Sequence, residues 1–459
     1  MKFNVVNTKN VHSTQRFDPS FHLSDAIILR EKVENVPFEQ VSVADATENV
    51  FLGNIFSRIF VKDAEHGIPY LAASDTVLAN LNTGRYLSKK QASALSYLML
   101  KKDWIVVTCS GTIGNVTYTN SSFENHIATH DLIRIVPNDN KILRGYLYSF
   151  LASKYGYNQL TQSQFGGVVK HINAEHVRNI KVPCFPESFQ QEVDDLIQES
   201  ARLREEAADA LKKAKRTLKT FINADFKKNN YKTSIVKSKS ILTSLQHRLD
   251  PPALMNDGVF AMQEVTSRIA TKIIANINAT VSRPGIFKRI YVENGIPYIK
   301  GSEIFLNNPF RRCEHLSRTR TPFIDEMTLF EGQILITCAG SVGNIKMITK
   351  EYEDKKAIGS QDIIRLASND ELFTKEYLFT YLQMPFVYDY IQSMKYGSVI
   401  ERIEPFHIET IPIVTPTKEL SEEVTSIIRQ YMDYTYRAFN AEQKAIRMVE
   451  QEIEKWNKH

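Results

Sequence analysis

The 459-residue chain is short of the features that most often announce an activity. No apolar run comes near the ~20 residues that a membrane-spanning helix needs. The opening MKFNVVNTKNVHSTQRFD lacks the apolar centre of a secretion signal, so a cytoplasmic protein is expected. The four cysteines, Cys109, Cys184, Cys313 and Cys338, form no CxxC pair and have no histidines at zinc spacing, which leaves a disulfide framework and a zinc site without support. Neither sign of charge dominates: a net +5 and a pI near 8.7 permit nucleic-acid binding without demanding it. With 43% hydrophobic and 24% charged residues, the composition is that of a globular protein long enough for two or three domains.

What the chain does have is itself, twice. QRFDPSF (15–21) returns as HRLDPPA (247–253), IFSRIFV (55–61) as IFKRIYV (286–292), and GIPYLAASD (67–75) as GIPYIKGSE (295–303). YLSKKQ (86–91) pairs with HLSRTR (315–320), ATHDLIRI (128–135) with GSQDIIRL (359–366), and FGGVVKHI (165–172) with YGSVIERI (396–403). The shift stays between 228 and 232 throughout, a register that chance matches would not hold.

Each copy has two parts. WIVVTC (104–109) and QILITC (333–338) are unbroken apolar runs ending at a glycine turn, which reads as a buried strand and a loop. GYLYSFLASKYGYNQL (145–160) and EYLFTYLQMPFVYDYI (376–391) carry aromatic and leucine residues three and four apart, which predicts one packed helix in each. Beyond Pro186, apolar or small residues fall at Phe189, Val193, Leu196, Ser200, Leu203, Ala207, Ala210, Ala214 and Leu218. Beyond Pro416 they fall at Leu420, Val424, Ile427, Tyr431, Tyr434, Ala438, Ala441, Ala445 and Val449. Alternating spacings of four and three make two heptad seams, and alanines in the middle favour close approach of one helix to the other. Each helix would be roughly 50–60 Å long. The expected fold is α+β: two tandem globular domains with two long antiparallel coiled-coil helices between them. The boundaries that go with it are an N-terminal extension (1–15), domains at 16–185 and 248–415, helices at 186–222 and 416–459, and a linker at 223–247. Residues 211–240 hold ten Lys/Arg against one acid, a pattern of solvated linkers and, less commonly, of phosphate contact.

The chemical motifs are tested against the repeat. VTCSGTIGNV (107–116) and ITCAGSVGNI (336–345) place a cysteine before two glycines. A nucleophilic cysteine needs a base; His130 is the candidate in the first copy, but Gln361 replaces it in the second, so a buried thiol is the better reading. The glycines are not followed by the Lys-Ser/Thr of a phosphate loop. A turn demanding positive φ accounts for them. The same turn would present backbone N–H groups and the hydroxyls of Ser110, Thr112 and Ser341, which suit DNA phosphates or base edges, and both readings stand. Asp250-Pro251-Pro252-Ala253 departs from the DPPY motif of amino-methyltransferases by lacking the aromatic that stacks on a flipped base, and no GxGxxG cofactor loop precedes it. Glu353 and Lys355 form an ExK without an accompanying metal-binding Asp. No catalytic constellation emerges.

In combination these segments resemble the specificity (S) subunit of Type I restriction–modification systems. RFDPSF and RLDPPA look like that family's domain-opening signature, GIPY with LAASD or IKGSE matches, and so do the strands leading into S/A-G-x-x-G. FGGVVKHINAEHVRNIKVPCFPESFQQEV and IEPFHIETIPIVTPTKELSEEV resemble the segment that opens the family's conserved helix, with its usual Gln displaced to Gln190/Gln191 or replaced by Ser421-Glu422-Glu423. The resemblance covers about 16–222 and 248–456. It implies two target-recognition domains, each reading half of a split double-stranded DNA site about one helical turn, ~35 Å, apart. It also implies partners: two methyltransferase (modification) subunits and ATP-driven restriction subunits. S-adenosylmethionine, ATP and Mg would be used there, with no cofactor, metal or catalytic residue in this chain. Specificity would lie where the copies diverge: Lys89 and Lys90 against Arg318 and Thr319, Lys170 and His171 against Glu401 and Arg402, and the insertion carrying Arg311, Arg312, Arg318 and Arg320. Arginine contacts guanine bidentately, whereas lysine more often meets phosphate. Two other classes stay open at this point: a self-contained restriction or modification enzyme, and a coiled-coil scaffold that binds only protein.

Overall fold

A computed structural model of the chain describes residues 25–162, 171–226 and 248–457, together with Thr8, Ser238 and Ile241. Apart from those three positions, the expected N-terminal extension, the QRFDPSF segment, Lys170 with FGGVV before it, and residues 227–247 of the basic linker lie outside the described residues. The chain divides into two compact units, residues 1–205 with 437–459, and residues 206–436.

The first unit begins with α1 (Asp25–Glu34), β1 (Gln40–Ser42), β2 (Thr47–Phe51), β3 (Phe60–Val61), β4 (Gly67–Leu71), β5 (Tyr86–Ser88) and α2 (Lys89–Ala94). It continues with β6 (Ile105–Thr108), β7 (Val116–Tyr118), β8 (Ile127–Ala128), β9 (Leu132–Pro137), α3 (Arg144–Ala152), α4 (Lys154–Gln162), α5 (Ala174–Arg178), β10 (Lys181–Pro183) and the long α6 (Glu187–Ile222). Its sheets run β2-β9-β6-β7, β3-β5-β4-β8 and β1-β10. Strand β6 is buried at every position, as its run of β-branched residues requires of a central strand.

The second unit repeats the plan. Helices α7 (Pro251–Met255) and α8 (Asp257–Arg268) precede β11 (Thr271–Ile273), β12 (Ala279–Ser282), β13 (Tyr291–Ile299), β14 (Glu314–Leu316), α9 (Ile324–Met327), β15 (Ile334–Thr337) and β16 (Ile345–Met347). Then come α10 (Lys350–Asp354), β17 (Ile358–Gly359), β18 (Ile363–Ser368), α11 (Lys375–Leu382), α12 (Pro385–Ser393), α13 (Pro405–Glu409), β19 (Pro412–Val414) and α14 (Lys418–Lys455). Its sheets run β12-β18-β15-β16, β14-β13-β17 and β11-β19. Each repeat thus builds an antiparallel four-stranded sheet, a smaller sheet closed by a parallel pair (β4 with β8, β13 with β17), and a two-strand ribbon.

One expectation is corrected. The segments 145–160 and 376–391 are each two helices, not one. Ser153 is extended (φ −66°, ψ 166°); its hydroxyl donates to Phe150 O at 2.6 Å and accepts from Gly156 N at 3.3 Å, closing α3 and opening α4. Between α11 and α12, Pro385 removes an amide donor and holds Met384 in the extended region (ψ 139°).

The long helices meet antiparallel within each unit. In the first, Val193, Ile197 and Ala201 share a core with Ala445, Val449 and Ile453, and Ser200 Oγ donates to Ala438 O at 2.8 Å. In the second, Ala207 to Ile222 share a core with Leu420, Val424, Ile427 and Tyr431, and Thr217 Oγ1 donates to Glu423 at 3.3 Å. Low numbers of one helix therefore meet high numbers of the other in both. The first unit adds a buried polar contact: Glu442 accepts from the Tyr148 hydroxyl and from Arg204 Nη2. At the helix start, Gln190 Oε1 accepts from Leu143 N at 3.2 Å, and in the second unit Ser421 Oγ donates to Leu372 O at 2.7 Å. Of the residues at the family's displaced glutamine position, Gln190 and Ser421 are thus bonded inside each unit, while Gln191, Glu422 and Glu423 are exposed.

Two buried arginines hold the matching strands. Arg134 on β9 donates to the carbonyls of Leu132, Leu98, Ala128 and Thr129 at 2.9–3.2 Å. Arg365 on β18 donates to Ile363, Met327, Gly359 and Ser360 at 2.8–3.4 Å. Burial pulls both guanidinium groups down to about 10, still charged near neutrality. Replacing either arginine by Met leaves these carbonyls buried and short of donors. Arg134→Met or Arg365→Met is expected to cost about 3–5 kcal/mol, read as a lowered denaturation midpoint of the unit concerned.

Glu454 near the end of α14 accepts from Lys32 at 2.9 Å, Lys154 at 2.8 Å and the Tyr155 hydroxyl at 2.6 Å. Those hydrogen bonds, Lys154 foremost, hold its carboxyl down to about 2 from an ordinary 4.5. A depressed folded pKa gives stability that is present above the unfolded value and lost as pH falls through the folded one. The expected outcome is an acid limb between pH 4.5 and 2 that flattens in Glu454→Gln, measured by melting temperature against pH.

Candidate nucleic-acid interface

The duplicated turn follows the central strand in each unit. Gly111 (φ 70°) and Gly114 (φ 75°), like Gly340 (φ 72°) and Gly343 (φ 85°), sit in the left-handed region that a Cβ disfavours. Thr108 Oγ1 donates to Thr112 O at 2.6 Å and accepts from Asn115 N at 3.0 Å; Thr337 Oγ1 repeats this with Ser341 O and Asn344 N. The expectation of free backbone N–H groups is corrected in part. Gly114 N and Ile113 N are spent inside the first turn, and Gly343 N and Val342 N inside the second. The turn consumes these donors itself, and what remains for a partner is chiefly side chains.

Around each turn the fold assembles a matched set. Ser110 bridges to His171 through the backbone, and Ser110 Oγ lies 2.9 Å from His171 Nδ1. Ala339 bridges to Arg402 in the same way. Thr112 and Ser341 expose their side chains at the turn's tip. Cys109 N donates to Asp131 O, and Cys338 N to Asp362 O, both at 3.3 Å. Those aspartates in turn face Arg58 and Arg289. So the structure brings Ser110, Thr112 and His171 together in one unit, and Ser341 and Arg402 in the other.

It places the remaining candidates elsewhere. Lys89 and Lys90 begin α2 after β5, and Arg311, Arg312, Arg318 and Arg320 flank β14; both groups lie on the smaller sheets. Lys89, Lys90, Arg312, Arg318 and Arg320 are exposed and Arg311 is half-buried. Sequence reasoning missed Arg58 and Arg289 with their partners Tyr70, Asp131, Tyr298 and Asp362. The signal was available: each is a polar residue identical in both copies of the repeat.

The other motifs resolve into structural roles. Burial, then the Asp131 carboxylate, pushes the Cys109 thiol up to about 11, and burial raises Cys338 as well. His130 turns to Asp131 and packs edge-on against Phe56. A thiol kept protonated is a poor nucleophile. Asp250 is paired with Arg248, whose Nη1 also donates to the carbonyls of Ser393 and Lys395 at the end of α12. The domain-opening signature thereby fastens α12. Glu353 caps Glu331 N at 3.0 Å, and Lys355 lies over the Phe310 ring. Among the described residues, no group of three or more His, Cys, Asp or Glu side chains could hold a metal, and no helix is long and apolar enough to cross a membrane.

With this geometry in place, the comparisons give the family. The sequence matches the Type I restriction modification DNA specificity domain over residues 47–200 and again over 274–447, more than two thirds of the chain. The protein belongs to that family and carries its domain twice. No curated protein matches the sequence. Among solved structures, it is similar to the S subunit of a Type I restriction-modification system from M. genitalium, with 12% identity, 92% of this chain and 96% of that chain covered, and a TM-score of 0.38. It is also similar to the HsdS subunit from Thermoanaerobacter tengcongensis, with 14% identity, coverages of 91% and 97%, and a TM-score of 0.27. These superpositions are loose, and the family membership rests on the sequence match. The chain is a specificity subunit.

The raised thiols generate a prediction. At pH 8 a thiol-alkylating reagent should leave Cys109 and Cys338 unmodified in the folded chain, and Cys109→Ala should keep full DNA affinity. Rapid labelling of native Cys109, read by mass spectrometry, would reopen the nucleophile reading.

Proposed function

We propose that each unit reads one half of a bipartite duplex DNA site, and that the chain directs catalysis carried out by partner subunits. One observation carries this reading: a single frame is built twice with different side chains at the same turn. Ser110 answers to Ala339, Thr112 to Ser341 and His171 to Arg402, while the strands and bridges beneath them match. Two readers with one scaffold and different contact groups suit a site whose halves differ. Arg402 offers the guanidinium fork that pairs with guanine, and His171 with Ser110 offers a donor–acceptor pair for another base. Lys89, Lys90 and the Arg311–Arg320 cluster, on the smaller sheets, suit phosphate contact beside the readers; Lys170 belongs to the same expectation.

Methyl transfer and cleavage then belong to two methyltransferase subunits and to ATP-driven restriction subunits, which would use S-adenosylmethionine, ATP and Mg. Recognition domains at 16–185 and 248–415 and spacer helices at 186–222 and 416–459 are the division of labour that goes with it. The test is the host's DNA methylation pattern, read by single-molecule sequencing with and without the gene. Loss of one motif made of two short halves around an unspecified gap is expected. His171→Ala should relax one half of that motif and Arg402→Ala the other, each by ~10–100-fold in discrimination. An unchanged pattern, or a purified chain that methylates or cuts DNA unaided, would overturn the reading.

A further inference from the structure

Arg58 and Arg289 occupy the same place in the two repeats and are held in the same way. Arg58 Nε donates to the Tyr70 hydroxyl at 2.6 Å, while Nη2 donates to Thr129 Oγ1 at 3.1 Å and lies 3.6 Å from Asp131. Arg289 Nε donates to the Tyr298 hydroxyl at 2.8 Å, and Nη2 lies 3.5 Å from Asp362. Each guanidinium also sits by the ring of that tyrosine, at 5.8 and 5.7 Å. In neither does Nη1 have a partner among the described residues, and the side chains stay 36% and 33% exposed. Both arginines stand on segments without regular structure, between β2 and β3 and between β12 and β13. Three residues earlier, Ile55 and Ile286 are 86% and 77% exposed, again at matching positions.

We propose that Arg58 and Arg289 are paired phosphate anchors, each setting its unit's register on the duplex so that the diverged side chains beside it meet their bases. This deepens the DNA-reading assignment and rests on it. Two arguments carry it. A group identical in both copies cannot supply the difference between two half-sites, and what any two halves share is the phosphate backbone. The clamp also fixes the guanidinium through Nε and Nη2 and leaves Nη1 presented as a charged donor, which suits a phosphate oxygen. Ile55 and Ile286 would then lie against deoxyribose. The tyrosine and the aspartate fix the guanidinium beforehand, so little ordering entropy is lost on contact.

The experiment replaces Arg58 and Arg289 by Met, singly and together, in the full chain expressed with its methyltransferase partner. Three quantities are read: the methylated motif, the affinity for a duplex carrying that motif and for a scrambled duplex, and the dependence of both affinities on salt. The motif should stay the same, and affinity for both duplexes should fall roughly tenfold per arginine. The slope of log affinity against log salt should shrink by about 0.9 per arginine. Arg58→Lys, which keeps the charge and loses the clamp, should keep most of the slope, and it stands in should the Met variants not fold. A change in one half of the motif would make these base-reading residues and overturn the anchor. Unchanged affinity and slope with only a lowered melting temperature would make them ties within the fold and overturn it too. A wild-type complex that binds both duplexes without salt dependence would refute the DNA-reading assignment itself.

Discussion

Everything at the candidate interface hangs from one buried cation in each unit. Arg134 and Arg365 interrupt otherwise apolar strands, LIRIVP and IIRLAS, at a position where a Leu or Met would be the unremarkable choice. Each instead gathers four main-chain carbonyls from the turn that leads into its own strand and from a neighbouring loop. Removing a guanidinium from water is costly, and burial lowers both groups to about 10. The planar five-donor head offsets it because no other side chain can satisfy so many converging acceptors at once. The segments so pinned, 128–131 and 359–362, carry Asp131 and Asp362, which fasten the cysteine amide on one side and face the exposed arginine on the other. The desolvated arginine within is what gives the solvated arginine outside a fixed place.

The two units keep this arrangement and differ where they can afford to. In the first, the long helices are joined to α3 through Glu442, a carboxylate buried between Tyr148 and Arg204. In the second, Phe379 stacks on Tyr431 at 5.9 Å at the matching place, and the buried carboxylate is Glu376 on α11, which accepts from Arg429 of α14 at 3.2 Å. A buried ion pair is a weak source of stability but a strong source of register, because sliding either helix strands the charge. Alanine-rich seams such as Ala207–Ala210–Ala214 and Ala438–Ala441–Ala445 pack closely but resist sliding poorly, and polar contacts in both halves, Arg204 with Glu442 in one and Thr217 with Glu423 in the other, supply what the small residues lack.

Much of this was legible in the residues alone. The repeat, the buried strands before each turn, the positive-φ glycines and the helical seams all follow from periodicity and from residue types with narrow conformational demands. The break at Ser153 was not, because the apolar spacing of α3 and α4 continues across it and only the serine's two hydrogen bonds reveal the corner. The break before Pro385 was readable from the proline and was overridden by the aromatic pattern around it. Arg58 and Arg289 escaped for a different reason. They lie outside regular structure, where periodicity says nothing, and their partners stand 12 and 73 residues along for Arg58, and 9 and 73 for Arg289. The lysine and arginine clusters were conspicuous in composition, yet charge density does not say which sheet a residue occupies.

The same physics lets one frame carry two different sets of side chains. At the turn, main-chain hydrogen bonds do the holding: the Ser110–His171 and Ala339–Arg402 bridges, the threonine hydroxyl closing each loop, and the cysteine amide on the aspartate carbonyl. Ser110 and His171 add a side-chain contact of their own at 2.9 Å, but the main-chain bonds are the same in both copies, so side chains at 110, 112 and 171, and at 339, 341 and 402, differ over one backbone. Residues that hold the frame, Arg134, Asp131, Tyr70 and their counterparts, recur unchanged and make the same bonds in both copies. On the proposed function, identity between the copies marks structure and register, and difference marks what would be read.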